Sequence, residues 1–305
     1  MRRRTVLALV AWWLLGWTSQ VEAFIPPAPA ALERPDTQGD QLVFYYDARE
    51  NFTTFLTVRN VMPGELTVTV LFYAPGFDGV PFAHTITLPA FGLRVLDVGE
   101  LRASGLPAQA GAAFATGVNE VGTAIVSAAL TGNFTVANLA TGSAWGAPAA
   151  ARSAVNADDS FPDFGATIDN QMVSLRPILP SGLDLSAYYN PDDLASSDLG
   201  GDQLIFVNFE DVSGLPLRAQ VGATDWNVFA AGADGSTIAD TGFTATGVVV
   251  TNLATVVGAD VGGSSGSIRF TSFVFPPRAT RLIFFAEALG TFGTGYLLPP
   301  VPTLL

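Results

Sequence analysis

The chain has no cysteine and, reading along it, no lysine; all 14 basic residues are arginine, and there is one histidine, His84. The missing thiols exclude disulfides, thiolate zinc sites, cysteine nucleophiles and a lipidated cysteine anchor. One histidine excludes metal sites built from several imidazoles. Acidic residues number 27, so the formal charge is −13. A phosphate backbone repels such a chain, and no basic stripe overrides the repulsion. Anionic membrane surfaces are disfavoured for the same reason. Charged residues make up only 13% of the 305, whereas 49% are hydrophobic. That balance excludes a disordered chain and predicts a folded protein with a large core.

The N-terminus reads as an export signal. Arg2, Arg3 and Arg4 precede an apolar run from Thr5 to Trp17, and Val21-Glu22-Ala23 has the small-x-small form of a cleavage site. The run is shorter than the ~20 residues that span a bilayer, so cleavage is expected rather than anchoring. Arg3-Arg4 faintly echoes a twin-arginine signal, but the very apolar core favours the general secretory route. The expected locations are the extracellular space, the cell surface or the periplasm.

Residues 24–38 carry Pro26, Pro27, Pro29 and Pro35 and read as an extended lead-in. Short β-branched and aromatic runs then follow, divided by Gly, Pro and Asn turns. They are Gln41–Asp47, Phe52–Asn60, Leu66–Tyr73, Phe82–Leu88, Gly92–Val98, Ala112–Val118, Thr123–Leu130 and Asn133–Leu139. This spacing predicts an all-β sandwich over 39–147. Residues 148–200 differ, with many aspartates and prolines, and read as an acidic, mostly irregular connector. Within it, Met172–Leu179 is expected as a strand; no long segment has a helical apolar period, and Ala149–Val155 and Leu183–Tyr189 are expected to form a turn or two of helix at most.

Gly39-Asp40-Gln41-Leu42 recurs as Gly201-Asp202-Gln203-Leu204, each time before an apolar strand. The simplest account is a second sandwich over 201–305 opening on the same strand. Its further strands are expected at Leu217–Ala223, Asp225–Ala230, Thr244–Leu253, Ser267–Phe275, Arg281–Leu289 and Gly295–Leu298. Phe270–Phe275 and Leu282–Phe285 are apolar on both faces, so they are expected to be buried twice over or covered by a partner.

Motifs with catalytic associations are poorly placed. Gly262-Gly263-Ser264-Ser265-Gly266 fits G-x-S-x-G, but it lies in a Gly/Ser tract without a following helix, and His84 belongs to the other half. Asp240-Thr241-Gly242 occurs once, whereas the aspartic-protease mechanism needs two such aspartates; a turn between strands is expected there. His84 is expected as a partly exposed strand residue. No cofactor is expected, with calcium as the alternative: Asp192, Asp193, Asp198 and Asp202 are the closest set of carboxylates, though their spacing matches no calcium-loop repeat. Trp145 and Trp226, with Tyr188 and Tyr189, are candidates for stacking on a sugar ring. Asn51-Phe52-Thr53 and Asn133-Phe134-Thr135 are glycosylation sequons.

The pattern Leu56-Thr57-Val58-Arg59-Asn60, then Val68-Thr69-Val70-Leu71-Phe72-Tyr73, then Thr87-Leu88-Pro89-Ala90, resembles bacterial extracellular immunoglobulin-like modules. The chain as a whole is similar to secreted bacterial proteins with tandem sandwiches. The resemblance implies two immunoglobulin-like sandwiches and carries no functional residue. The function expected is an exported, non-catalytic structural or adhesive protein whose partners are proteins or surface glycans, with self-association possible. A carbohydrate-binding module or a secreted glycosidase with paired carboxylates is one alternative. An outer-membrane barrel is the other, disfavoured by the continuous apolar runs and the Pro299-Pro300-Val301-Pro302 end.

Overall fold

Alternation along the chain sets which side chains go inside. In Phe52–Asn60, Leu56 and Val58 are buried while Phe55 and Arg59 are exposed, the period-two pattern of a strand with one wet face. Gln41–Asp47 is buried along its whole length, as its unbroken apolar middle predicts. A computed structural model describes residues 38–74, 81–120, 122, 129–152, 154–156, 166–168, 171–175, 184–189, 203–211, 219–258, 266–272, 279–289, 292–298 and 300–301. The protein is all-β in these segments, with antiparallel sheets and a few short helical turns. The expected signal peptide and residues 123–128 of the expected strand Thr123–Leu130 lie outside the described residues.

The first half comprises β1 (Gln38–Gly39), β2 (Gln41–Asp47), β3 (Phe52–Asn60), β4 (Leu66–Tyr73), β5 (Phe82–Leu88), β6 (Leu93–Asp97), β7 (Ala110–Val118), β8 (Leu130–Asn138), β9 (Ser143–Pro148) and β10 (Ala150–Arg152). They form two layers, β10-β2-β7-β4-β5 and β9-β8-β3-β6. The layers meet closely at Gly132, where an added Cβ would sit 3.0 Å from Leu42 and 3.1 Å from Phe44. A single-turn helix, α1 (Val98–Leu101), follows β6 and buries Val98 and Leu101.

Two helical expectations in the connector are corrected. Ala150–Arg152 is strand β10 and pairs with residues 41–43 of β2; it is followed by β11 (Ala154–Asn156), which forms a small sheet with β12 (Ala166–Ile168) and β13 (Gln171–Leu175). Asp184–Tyr189 is strand β14, not helix. Both segments meet a partner strand whose free backbone groups they satisfy, and that pairing overrides weak local helix preference.

The second half continues with β15 (Gln203–Asp211), β16 (Ala219–Val221), β17 (Ala223–Gly232), β18 (Thr237–Asn252), β19 (Gly266–Ser272), β20 (Ala279–Leu289), β21 (Phe292–Leu297) and β22 (Pro300–Val301), with α2 (Leu253–Val257) after β18. The order β22-β14-β19-β17-β18 repeats β10-β2-β7-β4-β5. The order β21-β20-β15-β18 repeats β9-β8-β3-β6. Strand β18 serves in both: residues 237–246 pair with β17 and residues 247–252 with β15. Gly247, at the switch, takes a left-handed φ of 62°. In the first half a break between β5 and β6 makes the same corner, and Phe91 there has φ 55°.

Matching hydrogen bonds fix the equivalence. Asn60 N donates to Gly92 O at 2.9 Å, and Asn208 stands opposite Gly247 in the same way. Ala149 N donates to Gly132 O at 3.0 Å, and Leu298 N to Ile283 O at 2.9 Å. Helices α1 and α2 both start on a side-chain cap, Asp97 in one and Asn252 in the other. The repeat is therefore real but its register differs from the one expected. Gly39–Leu42 leads into β2, while Gln203–Leu204 opens β15, the counterpart of β3. The counterpart of β2 is β14, so strand pairing puts part of the acidic connector inside the second half.

The halves meet along β9 and β21, which run parallel with Phe292 beside Ala144. One sheet thus continues through β6-β3-β8-β9-β21-β20-β15-β18. Phe134 of the first core touches Phe284 of β20, and Phe209 of β15 is packed by Tyr73 and Phe114. The amide of Ala219 also donates to the Tyr73 hydroxyl at 3.0 Å. The first half's β10-β2-β7-β4-β5 layer, through Tyr73 and Phe114, therefore packs on the back of the second half's sheet. Ile205, Val207, Leu282 and Phe284 on that back face have no exposed surface, which explains why these strands are apolar on both sides.

Candidate functional site

The equivalent back face of the first half is open. Thr57, Arg59, Thr131 and Asn133 occupy the positions of Ile205, Val207, Leu282 and Phe284, and they are half-buried or exposed. Polar side chains replace apolar ones where, among the described residues, no layer covers the sheet. The face ends on β6, an edge strand with no partner on its outer side among the described residues. Here the sheet turns apolar: Leu93 is 56% exposed, Val95 53% and Phe55 37%, with Phe91 59% and Met62 40% at the adjoining corner. Phe91 N donates to Met62 O at 3.1 Å, which ties the corner together. The other large exposed apolar side chains among the described residues, Leu139 and Phe229, lie past the end of β8 and on β17. Sequence alternation alone did not find this face, because Leu93 and Val95 read as ordinary strand residues until the missing cover was visible.

The buried charged groups are occupied in holding the fold. Asp47, almost fully buried, pairs with Arg49 at 2.6 Å and accepts from the backbone N of Arg49 at 3.0 Å. Hydrogen bonding to Asp47 raises the Arg49 pKa, and its guanidinium lies 5.0 Å over the Phe52 ring. Burial, helped by the Asp47 charge, pushes the hydroxyls of Tyr45 and Tyr46 well above the usual tyrosine range. Asp97 accepts from the Thr53 hydroxyl at 2.5 Å and from Gly99 N at 2.8 Å. Arg281 is buried, and desolvation lowers its pKa while the charge of Glu210 opposes that shift. Its Nε donates to Thr224 at 3.2 Å. Four buried polar atoms among the described residues find no partner: Tyr46 Oη, Asn208 Oδ1, Trp226 Nε1 and Ser272 Oγ.

The residues singled out in the sequence fall in separate places. Trp145 is 4% exposed and stacks on Tyr45 with centroids 5.9 Å apart; Trp226 is 2% exposed and packs on Phe206 and Phe270. Both indoles are core residues and present no face to a sugar, so their candidacy for glycan stacking is corrected in favour of core burial. Tyr188 and Tyr189 sit on β14 opposite Ser267 and Gly266. Asp192, Asp193, Asp198 and Asp202 lie outside the described residues, as do residues 259–265 with most of the G-x-S-x-G tract. Among the described residues no three or more carboxylate, histidine or thiol side chains gather as a metal site would require. Asp240-Thr241-Gly242 is not a turn but lies in the first part of β18, held by pairing with residues 227–229 of β17. His84 is a half-exposed residue of edge strand β5, opposite Val70. Asn51 is exposed in a left-handed turn with φ 66°, and Asn133 is exposed on β8.

No family model matches the chain, and no curated protein matches it. Two solved structures are distantly similar. One is BuGH86wt in complex with neoagarooctaose, at 10% identity and TM-score 0.17, covering 85% of this chain and 35% of its own. The other is a putative beta-galactosidase from Bacteroides fragilis, at 10% identity and TM-score 0.14, covering 86% and 34%. The chain thus spans about a third of the length of each. Likeness at that level carries no argument about fold or function.

Proposed function

We propose that the protein is an exported, non-catalytic interaction protein of the cell surface or extracellular space, built from two immunoglobulin-like sandwiches fused side by side. The observation that carries this reading is the open back face of the first half. The same face in the second half is buried, with Phe209 packed against Tyr73 and Phe114 of the first half. In the first half it is exposed, broad and bordered by the clustered apolar residues of β6, and exposed apolar patches of this kind mark interaction sites. Among the described residues the linear sheet orders have ends, which supports stacked layers over a closed membrane barrel.

A surface glycan is the second partner class. Phe55, partly exposed, stands opposite Thr135, and the next outward pair is Thr57 with Asn133. An apolar ring beside hydroxyl and amide groups offers both the stacking surface and the hydrogen bonds a sugar uses.

The test is binding of the labelled chain to cell envelopes, matrix proteins and a glycan array, with Asn133→Arg on the open face and Asn227→Arg on the second half as the paired control. The reading expects binding that the first change weakens at least tenfold and the second leaves intact. Binding indifferent to Asn133→Arg would contradict it, and so would turnover of a substrate abolished by altering one side chain.

A further inference from the structure

We infer that β6 is a self-pairing edge, and that two copies of the chain join through it into a two-fold dimer. The eight-stranded sheet exists because β9 and β21, which are counterparts in the repeat, meet edge to edge. The opposite edges, β6 and the C-terminal part of β18, are also counterparts and have no outer partner among the described residues. They are not equally protected. Val248 on β18 is buried and Val249 and Val250 are half-buried, whereas Leu93 and Val95 of β6 are more than half exposed. Two molecules therefore remove the most apolar surface by pairing β6 with β6. Such pairing closes a two-fold assembly, while β6 against β18 would propagate into an open filament.

The side chains choose a register. An antiparallel pair keeps outward residues opposite outward residues. Centring the axis on Arg94 would place two guanidinium groups face to face. Centring it on Val95 puts Val95 against Val95 of the second copy, Leu93 beside Asp97 and Arg94 beside Leu96. The apolar corner of Phe91 and Met62 then lies at the margin of the shared sheet. The second copy is favoured over a foreign strand because the chain already joins its two repeated units edge to edge, there with β9 and β21 parallel.

The chain has no cysteine, so a single introduced thiol reports the contact without background. Opposite Cα atoms in an antiparallel pair are ~4.5–5.5 Å apart, within the span of a disulfide. Val95→Cys in residues 24–305 should form a disulfide-linked dimer under mild oxidation. Leu93→Cys should not, since the two copies of that position are four residues out of step, roughly 13 Å apart. Light scattering should give twice the monomer mass across the micromolar range, and Val95→Lys should return it to the monomer with an unchanged circular-dichroism spectrum. Leu139→Lys, at an exposed apolar site elsewhere, should leave the dimer intact. A monomer at every concentration, a dimer untouched by Val95→Lys, efficient linking through Leu93→Cys, or open-ended polymers would each overturn the inference. It does not depend on the proposed external partner, because the glycan and envelope measurements can fail while the dimer stands.

Discussion

Phe134 and Phe284 meet edge to face across the join between the two halves, with ring centroids 5.2 Å apart and planes at 89°. One ring belongs to the core of the first half and the other to the back of the second half's sheet. The contact therefore stabilises both. Phe284→Ala should cost about 3–5 kcal/mol, the usual range for deleting a buried phenyl ring. A thermal melt followed by circular dichroism should show one transition moved down in temperature. A loss confined to half of the signal would mean that the ring serves only its own half.

The buried tyrosines set the alkaline limit. Burial raises the pKa of Tyr45 and Tyr46 in the fold, so the folded state keeps protons that the unfolded chain releases above pH ~10. Stability is then whole below that pH and falls as pH rises toward the folded pKa values, by roughly 1.4 kcal/mol per pH unit for each ring. Denaturant titrations between pH 9 and about pH 12 should show this decline. Tyr46→Phe should flatten it and should be neutral or stabilising near pH 7, because the Tyr46 hydroxyl is buried without a partner.

Gly247 carries the bend where β18 passes from one layer to the other. With φ at 62° and Val221 3.3 Å from the place of a Cβ, Gly247→Ala should destabilise by about 1–2 kcal/mol. Gly64→Ala, in an exposed turn with open space around it, should change stability by less than about 0.5 kcal/mol. Equal effects in chemical denaturation would contradict the role given to the bend.

Helices α1 and α2 each rest on one capping side chain. Asn252→Ala should cost about 1 kcal/mol. Asp97→Ala should cost more, since Asp97 also accepts the hydroxyl of Thr53. Equilibrium unfolding of the two variants checks the ranking.

Much of the strand content could be read from the chain. Gln41–Asp47, Phe52–Asn60, Leu66–Tyr73 and Phe82–Leu88 match the observed strands end to end, because each is a β-branched or aromatic run closed by turn residues. Thr237–Asn252 was harder. Its first part is interrupted by Ala239-Asp240 and Gly242, poor strand formers that read as a turn, and pairing with β17 carries the strand through them. The repeat was misaligned because a four-residue identity decides nothing when equivalence is set by pairing partners. The open face was illegible for a related reason. Exposure of Leu93 and Val95 depends on a covering layer contributed by residues far away in sequence. Burial of Trp145 depends likewise on Tyr45 and Phe134.

The two halves form one body with a shared sheet, and the tryptophans offer a direct test of this. Beyond residue 23 the chain has one tryptophan in each half, Trp145 and Trp226. Trp226→Phe leaves a reporter in the first half, and Trp145→Phe leaves one in the second. Urea unfolding of residues 24–305 should give each variant a single fluorescence transition that coincides with its own circular-dichroism transition. A fluorescence midpoint displaced from the circular-dichroism midpoint in both variants, in opposite directions, would show two independent domains and contradict the account.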